Sequence, residues 1–128
     1  MKILLDTCAF LWMCQQPEML SPAAVLTLND ARNVLFLSDV SIWEITLKHS
    51  GGKLPLPGVP RTWVARKLAY HQVETLALDS DVIYRSGELP RVHPDPFDRL
   101  LAAQAIEFGA TILSPDTPLS LLGASRIW

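Results

Sequence analysis

The chain has 128 residues, of which 49% are hydrophobic and 19% charged, with a formal net charge of −2 at neutral pH. That is enough apolar material for a single domain, residues 1–128, with its own core, and too much for a disordered chain. No apolar run approaches the ~18 residues of a membrane span, and the apolar start "MKILLDTCAF" is broken at Asp6, so neither an anchor nor a signal peptide is expected and the default location is the cytoplasm.

In chain order, "KILLD" (2–6) reads as a buried parallel strand ending in an acid. "TCAFLWMC" follows as a helix with Phe10, Leu11 and Met13 or Cys14 inward. "SPAAVLTLNDA" (21–31) starts a second helix, with Ser21 as cap and Pro22 in the first position. "VLFLS" (34–38) is a second strand. "DVSIWEITLKHSGG" (39–52) is a helix with Ile42, Trp43, Ile45 and Leu47 as its apolar positions, stopping at Gly51 and Gly52. Residues 51–61 form a Pro/Gly-rich connection, and "TWVARKLAYH" (62–71) a helix with a basic outer side. "VETLAL" (73–78) is a third strand and "DSDVIYRSGEL" (79–89) a capped helix.

"HPDPFDRLLAAQA" (93–105) opens the next helix. Asp95 is its cap, Pro96 its first residue, and Asp98 lies in the first turn, facing the positive end of the helix dipole. It ends at Gly109. "ATILS" (110–114) is a fourth strand, "DTPLSLLG" a short helix or turn, and "SRIW" an edge strand. Strands alternating with helices specify an α/β fold whose central, mainly parallel sheet is covered on both faces.

Cys8 and Cys14 stand about 240° apart around a helix, so they read as buried free thiols rather than a shared metal site. The charge is unevenly spread. Between Glu44 and Glu74 there is no acid, but there are Lys48, Lys53, Arg61, Arg66 and Lys67; this segment carries +5 and the remainder −7. A basic segment on an acidic chain points to an anionic partner on one face.

In an open parallel sheet, sites form beyond the carboxyl ends of the strands. Asp6 closes the first strand and Asp116 follows the last central one. Glu44 sits one to two turns into the helix after the second strand, and the loop before Asp98 is long enough to return to the same edge. Each acid also has an ordinary explanation: Asp6 caps a helix, Glu44 pairs with Lys48 at i,i+4, and Asp116 is a turn residue. Their convergence is the informative feature. Two carboxylates about 5 Å apart repel by roughly 3 kcal/mol at an effective dielectric near 20. A hard divalent cation answers that repulsion, and an oxygen-rich site without paired His or Cys suits Mg²⁺ or Mn²⁺ better than zinc. Such ions activate water and stabilise the leaving oxygen of a phosphodiester.

The stretches "LLDT", "SIWEITLKHSGGKL" (41–54), "HPDPFDRLLAAQA" (93–105) and "TILSPD" (111–116) resemble PIN domains, most closely the VapC-type toxins of bacterial toxin–antitoxin pairs. The resemblance covers the whole chain with the motifs in family order. It implies a three-layer α/β/α sandwich and a Mg²⁺-dependent endoribonuclease, with Mn²⁺ as an alternative ion. The acidic quartet falls on Asp6, Glu44, Asp98 and Asp116, supported by Thr7 and Ser114. It also implies an RNA substrate, a cognate antitoxin and a homodimer; the basic segment, with Lys48, Lys53, Arg61, Arg66 and Lys67, supplies the surface for that polyanion. Trp12, Trp43 and Leu47 are candidates for the antitoxin's groove where their outer faces are exposed, with core packing expected for at least one of them.

The chain departs from the family pattern where Cys8 replaces the usual His and where Pro115 stands between Ser114 and Asp116, altering the expected pose of Asp116. His93 reads as a loop residue satisfied by backbone rather than as a general acid. Arg99 reads as a counter-charge to the acids, a phosphate ligand, or a structural ion pair. A phosphoacceptor receiver domain needs an acidic pair after the first strand, and a haloacid-dehalogenase-type phosphatase needs an Asp where Cys8 stands. A non-catalytic PIN-like binding module is the alternative from another class, and it has no use for four convergent acids.

Overall fold

Ile3, Leu4 and Leu5 are all fully buried because their strand is the middle of the sheet, covered above and below. All 128 residues are described by the computed structural model. Strands β1 (Lys2–Leu5), β2 (Val34–Ser38), β3 (Val73–Leu76), β4 (Thr111–Leu113) and β5 (Arg126–Ile127) form one sheet in the order β3-β2-β1-β4-β5. Every neighbouring pair is parallel, so the expected mainly parallel sheet is wholly parallel. Around it lie α1 (Thr7–Gln15), α2 (Pro22–Asn29), α3 (Asp39–Ser50), α4 (Pro60–His71), α5 (Ser80–Glu88), α6 (Pro96–Phe108) and α7 (Pro118–Leu121). A 3-10 turn at Pro17–Met19 has no counterpart in the sequence reading.

The period-two alternation of each strand divides the core into two halves. Leu4, Phe36 and Ile112 face one way and pack with Leu101, Ala102 and Ala105 of α6. Ile3, Leu5, Leu35, Leu37 and Leu113 face the other and pack with Phe10, Ile45, Trp63 and Val64. Each fully buried Leu or Ile contributes about 1.5–3 kcal/mol of transfer free energy. The sandwich has the expected three layers.

Helix α3 corrects one expectation. Ile45 is fully buried and Ile42 half-buried, but Trp43 and Leu47 are 49% and 47% exposed. At ~100° per residue both stand about 200° from Ile45, so they form a separate outward stripe. Helix α1 turns the expected face inward: Phe10 and Ala9 are fully buried, and Leu11, Met13 and Cys14, half-buried, pack against the same half of the core.

The strand order positions the site. From β1 the chain builds outward through β2 to β3, then returns to the other side of β1 for β4 and β5. The crevice between the carboxyl ends of β1 and β4 is therefore the switch point of the sheet, where ligands of such folds bind. Helices α5 and α6 pack together as a hairpin, and their link, residues 89–95, brings the start of α6 to this crevice.

Candidate active site

Asp6 is the first residue beyond β1. Its backbone is extended, and its side chain caps α1: Oδ1 accepts from the Ala9 amide at 2.7 Å and from the Cys8 thiol at 3.2 Å. Its other oxygen accepts from the Ser114 hydroxyl, which emerges from β4 next door. The same Ser114 Oγ accepts from the Asp116 amide at 3.0 Å. Pro115 thus sits within a tight turn that ties Asp116 to Ser114. Thr7 donates its hydroxyl to Ser41 Oγ at 3.0 Å, so it fastens α1 to α3 rather than touching an acid. Ser41 is fully buried and escaped the sequence reading.

Glu44 reaches the crevice from α3. It pairs with Lys48 one turn later, Nζ to Oε2 at 2.7 Å, and its side chain is far more buried than that of the lysine. Asp98 enters from the first turn of α6, while Asp95 caps that helix through the Phe97 amide at 2.9 Å. Asp6, Glu44, Asp98 and Asp116 all line one open cleft of about 350 Å³, together with Lys48, Cys8 and Asp95. The ordinary roles foreseen for these acids are therefore real, and the acids still converge.

His93 corrects the sequence reading. Its ring is not satisfied by backbone: Nε2 lies 2.7 Å from Asp98 Oδ2 and 4.0 Å from Asp116 Oδ2. His93, Asp98 and Asp116 form a group whose ligating atoms all lie within 4.8 Å of one another. The missed signal is the spacing, five residues with two prolines between, which folds the loop back on the first turn of the helix.

Arg99 is also corrected. Its guanidinium faces no acid but donates to the carbonyls of Ser86, Leu89, Pro90 and His93 at 2.7–3.1 Å. It holds the α5–α6 link in shape. The basic segment does not form one stripe. Lys48 lines the cleft, and Lys53, Arg61 and Arg66 are exposed. On α4, Arg61 and Arg66 are about 140° apart and Lys67 about 240° from Arg61, because the helix turns ~100° per residue. Lys67 is half-buried, its ammonium 5.8 Å from the Tyr70 ring centroid.

The electrostatics are those of crowded, partly dehydrated acids. Burial pushes the Asp98 carboxyl up to about 6, against the stabilising hydrogen bond of His93, and Asp116 and Asp95 add to the rise. Burial raises Asp6 as well, opposed by its three hydrogen bonds. The Cys8 thiol is driven upward by burial and by the Asp6 charge, so it stays a proton donor and offers no thiolate. Oxygen donors with elevated proton affinity, no thiolate and one imidazole fit a hard divalent cation.

The PIN domain family profile matches residues 3–123. Ribonuclease VapC22 of Mycobacterium tuberculosis is 30% identical over 118 residues, covering 91% of this chain and 88% of its own. Among solved structures, VapBC2 from Rickettsia felis, bound to a DNA fragment from its promoter, superposes with a TM-score of 0.73 at 14% identity, over 99% of this chain and 98% of that one. VapBC-1 from nontypeable Haemophilus influenzae gives 0.68 at 13% identity, over 99% and 97%. With its parallel sheet, its acids at the β1–β4 crevice and this match along nearly its whole length, the chain belongs to the PIN-domain family, among its VapC-like members.

Proposed function

We propose that this chain is a divalent-metal-dependent endoribonuclease, acting as the toxin of a toxin–antitoxin pair. The carrying observation is the convergence of Asp6, Glu44, Asp98 and Asp116, from four separate segments, on one cleft at the switch point of the sheet. The ribonuclease name of the 30% identical relative supports the reaction class. Asp6, Glu44, Asp98 and Asp116 would hold Mg²⁺ or Mn²⁺. A bound ion supplies an activated water and charge stabilisation for the leaving oxygen.

The chain's own groups do the rest. Ser114 and the Ala9 amide hold the Asp6 carboxylate in place. Lys48 offsets the negative cleft and stands ready for a phosphate. Lys53, Arg61, Arg66 and Lys67 attract the RNA backbone from outside the cleft, through charge rather than base reading.

The partner reading is an antitoxin that closes the cleft, in keeping with the VapBC assemblies among the structural relatives. Beside the acids, Trp43 packs edge-on against Phe97 with centroids 5.0 Å apart, and Leu47 continues the exposed stripe. A segment carrying a cation for the acids and apolar side chains for this ledge meets both chemistries. Trp12 contributes less, since it packs on Trp128. Self-pairing into a homodimer is part of the same proposal.

The deciding experiment is cleavage of RNA by the purified protein with Mg²⁺ or Mn²⁺, with EDTA and Asp98→Asn as controls. Metal-dependent internal cuts, lost in both controls, are expected. RNA left intact at every ion concentration sinks the nuclease reading and favours a non-catalytic binding module. Co-expression with the product of the adjoining small reading frame tests the antitoxin: failure to bind or to relieve toxicity removes the toxin assignment while leaving the nuclease standing.

A further inference from the structure

We propose that His93 is a ligand of the metal centre, and that this nitrogen donor tilts the site towards Mn²⁺ over Mg²⁺; the inference rests on the metal-dependent reading above. His93 Nε2 stands 2.7 Å from Asp98 Oδ2 and 4.0 Å from Asp116 Oδ2, and the three groups' ligating atoms fall within 4.8 Å of one another. Neighbouring ligands of an octahedral ion with ~2.1 Å bonds lie about 3 Å apart. The observed separations bracket that value, so one ion reaches all three once the proton shared between Nε2 and Asp98 passes to solvent, the neutral ring keeping its proton on Nδ1.

The loop holding His93 is built rather than free. Arg99 donates to the His93 carbonyl at 3.1 Å and, with the same guanidinium, to the carbonyls of Pro90, Leu89 and Ser86. Arg99 directly follows Asp98, so one helical turn presents the carboxylate and pins the loop that presents the imidazole. The two side chains are equally sheltered, at 19% and 20% exposure. No other histidine joins this group: His49 Nδ1 is bonded to the Leu54 carbonyl, and His71 lies against Tyr70.

The chemical consequence follows from ligand type. Carboxylates alone suit Mg²⁺, which dehydrates reluctantly and takes oxygen. An imidazole adds little for Mg²⁺ and more for transition ions, whose affinity for nitrogen is greater. Arg99 is then a positioning residue for this centre, acting through His93.

The test is pulsed electron paramagnetic resonance on the full chain loaded with Mn²⁺, with calorimetric titrations of Mn²⁺ and Mg²⁺. The expected spectrum carries nitrogen-14 modulation from an imidazole, and His93→Gln abolishes it while Mn²⁺ still binds through the carboxylates. In that variant Mn²⁺ affinity falls by about tenfold or more, the scale seen when even an outer-shell partner is lost, and Mg²⁺ affinity falls less. Wild-type Mn²⁺ without nitrogen coupling, or coupling that survives His93→Gln, overturns the proposal and leaves the nuclease reading intact. Failure of the wild type to bind either ion overturns both.

Discussion

The Ser114 hydroxyl donates to the Asp6 carboxylate, joining the ends of the two central strands across 108 residues of chain. Both residues are buried, and Ser114 Oγ also accepts from the Asp116 amide. One hydroxyl therefore organises two of the four acids. Ser114→Ala is expected to cost about 1–3 kcal/mol of stability, the range for a buried bond to a charged group. Metal affinity is expected to fall by about 10–100-fold, as for other outer-shell partners. Wild-type values in both thermal melts and metal titrations exclude this bridging role.

Asp98→Asn and Asp6→Asn remove a negative ligand at nearly constant volume. Cleavage is expected to fall by about 100-fold or more, at or beyond the top of the range for outer-shell changes. Both variants should fold, since each acid carries a raised proton affinity and its ionised form strains the metal-free protein. Single-turnover cleavage with matched circular dichroism is the check. Turnover close to wild type in folded Asp98→Asn contradicts the assignment.

Mg²⁺ or Mn²⁺ should raise the melting temperature, because an ion that binds only the folded state stabilises it by mass action, about 2.7 kcal/mol at a hundred times its dissociation constant. The same titration on Asp98→Asn should give a smaller rise. A melt unmoved by millimolar ion means that the acids do not share a site.

The pH dependence has a defined sign. Asp98 titrates near 3.8 in the unfolded chain and at about 6 in the folded one, chiefly through burial. The folded state holds the proton more tightly, so the stabilisation is complete below about pH 4 and disappears as pH rises through about 6. Asp6 shifts in the same direction. Stability of the metal-free protein should therefore decline over this interval, and that of Asp98→Asn should decline less. The ion-induced rise in melting temperature should grow over the same interval. Parallel profiles for the two proteins rule out Asp98 as the titrating group.

Charge removal at Lys53, Arg61, Arg66 and Lys67 should weaken RNA binding and flatten its salt dependence, the slope on single strands shrinking by roughly 0.7 for each phosphate no longer neutralised. Because these residues do not share one stripe on α4, the single variants should contribute unequally, with exposed Arg61 and Arg66 ahead of half-buried Lys67. Filter binding across a salt series measures this. An unchanged slope in the quadruple variant places the RNA elsewhere.

The local elements were legible because their signals are local. The continuous apolar runs of β1 and β2, the Ser21 and Asp95 caps and the Gly109 stop each depend on a few neighbours in sequence. The acids Asp6, Glu44, Asp98 and Asp116 were legible as well, because strand ends in a parallel sheet share one edge. Strand order was not, since pairing β1 with both β2 and β4 depends on packing between distant segments. The switch point between β1 and β4, and with it the Ser114–Asp6 bridge, exists only once that order is set. The roles of His93 and Arg99 were likewise decided by tertiary structure: the α5–α6 link folds back on the first turn of α6, giving the imidazole to Asp98 and the guanidinium to four carbonyls. A side chain in a loop has no periodicity to announce its partner, so its chemistry is set by where the surrounding helices place it.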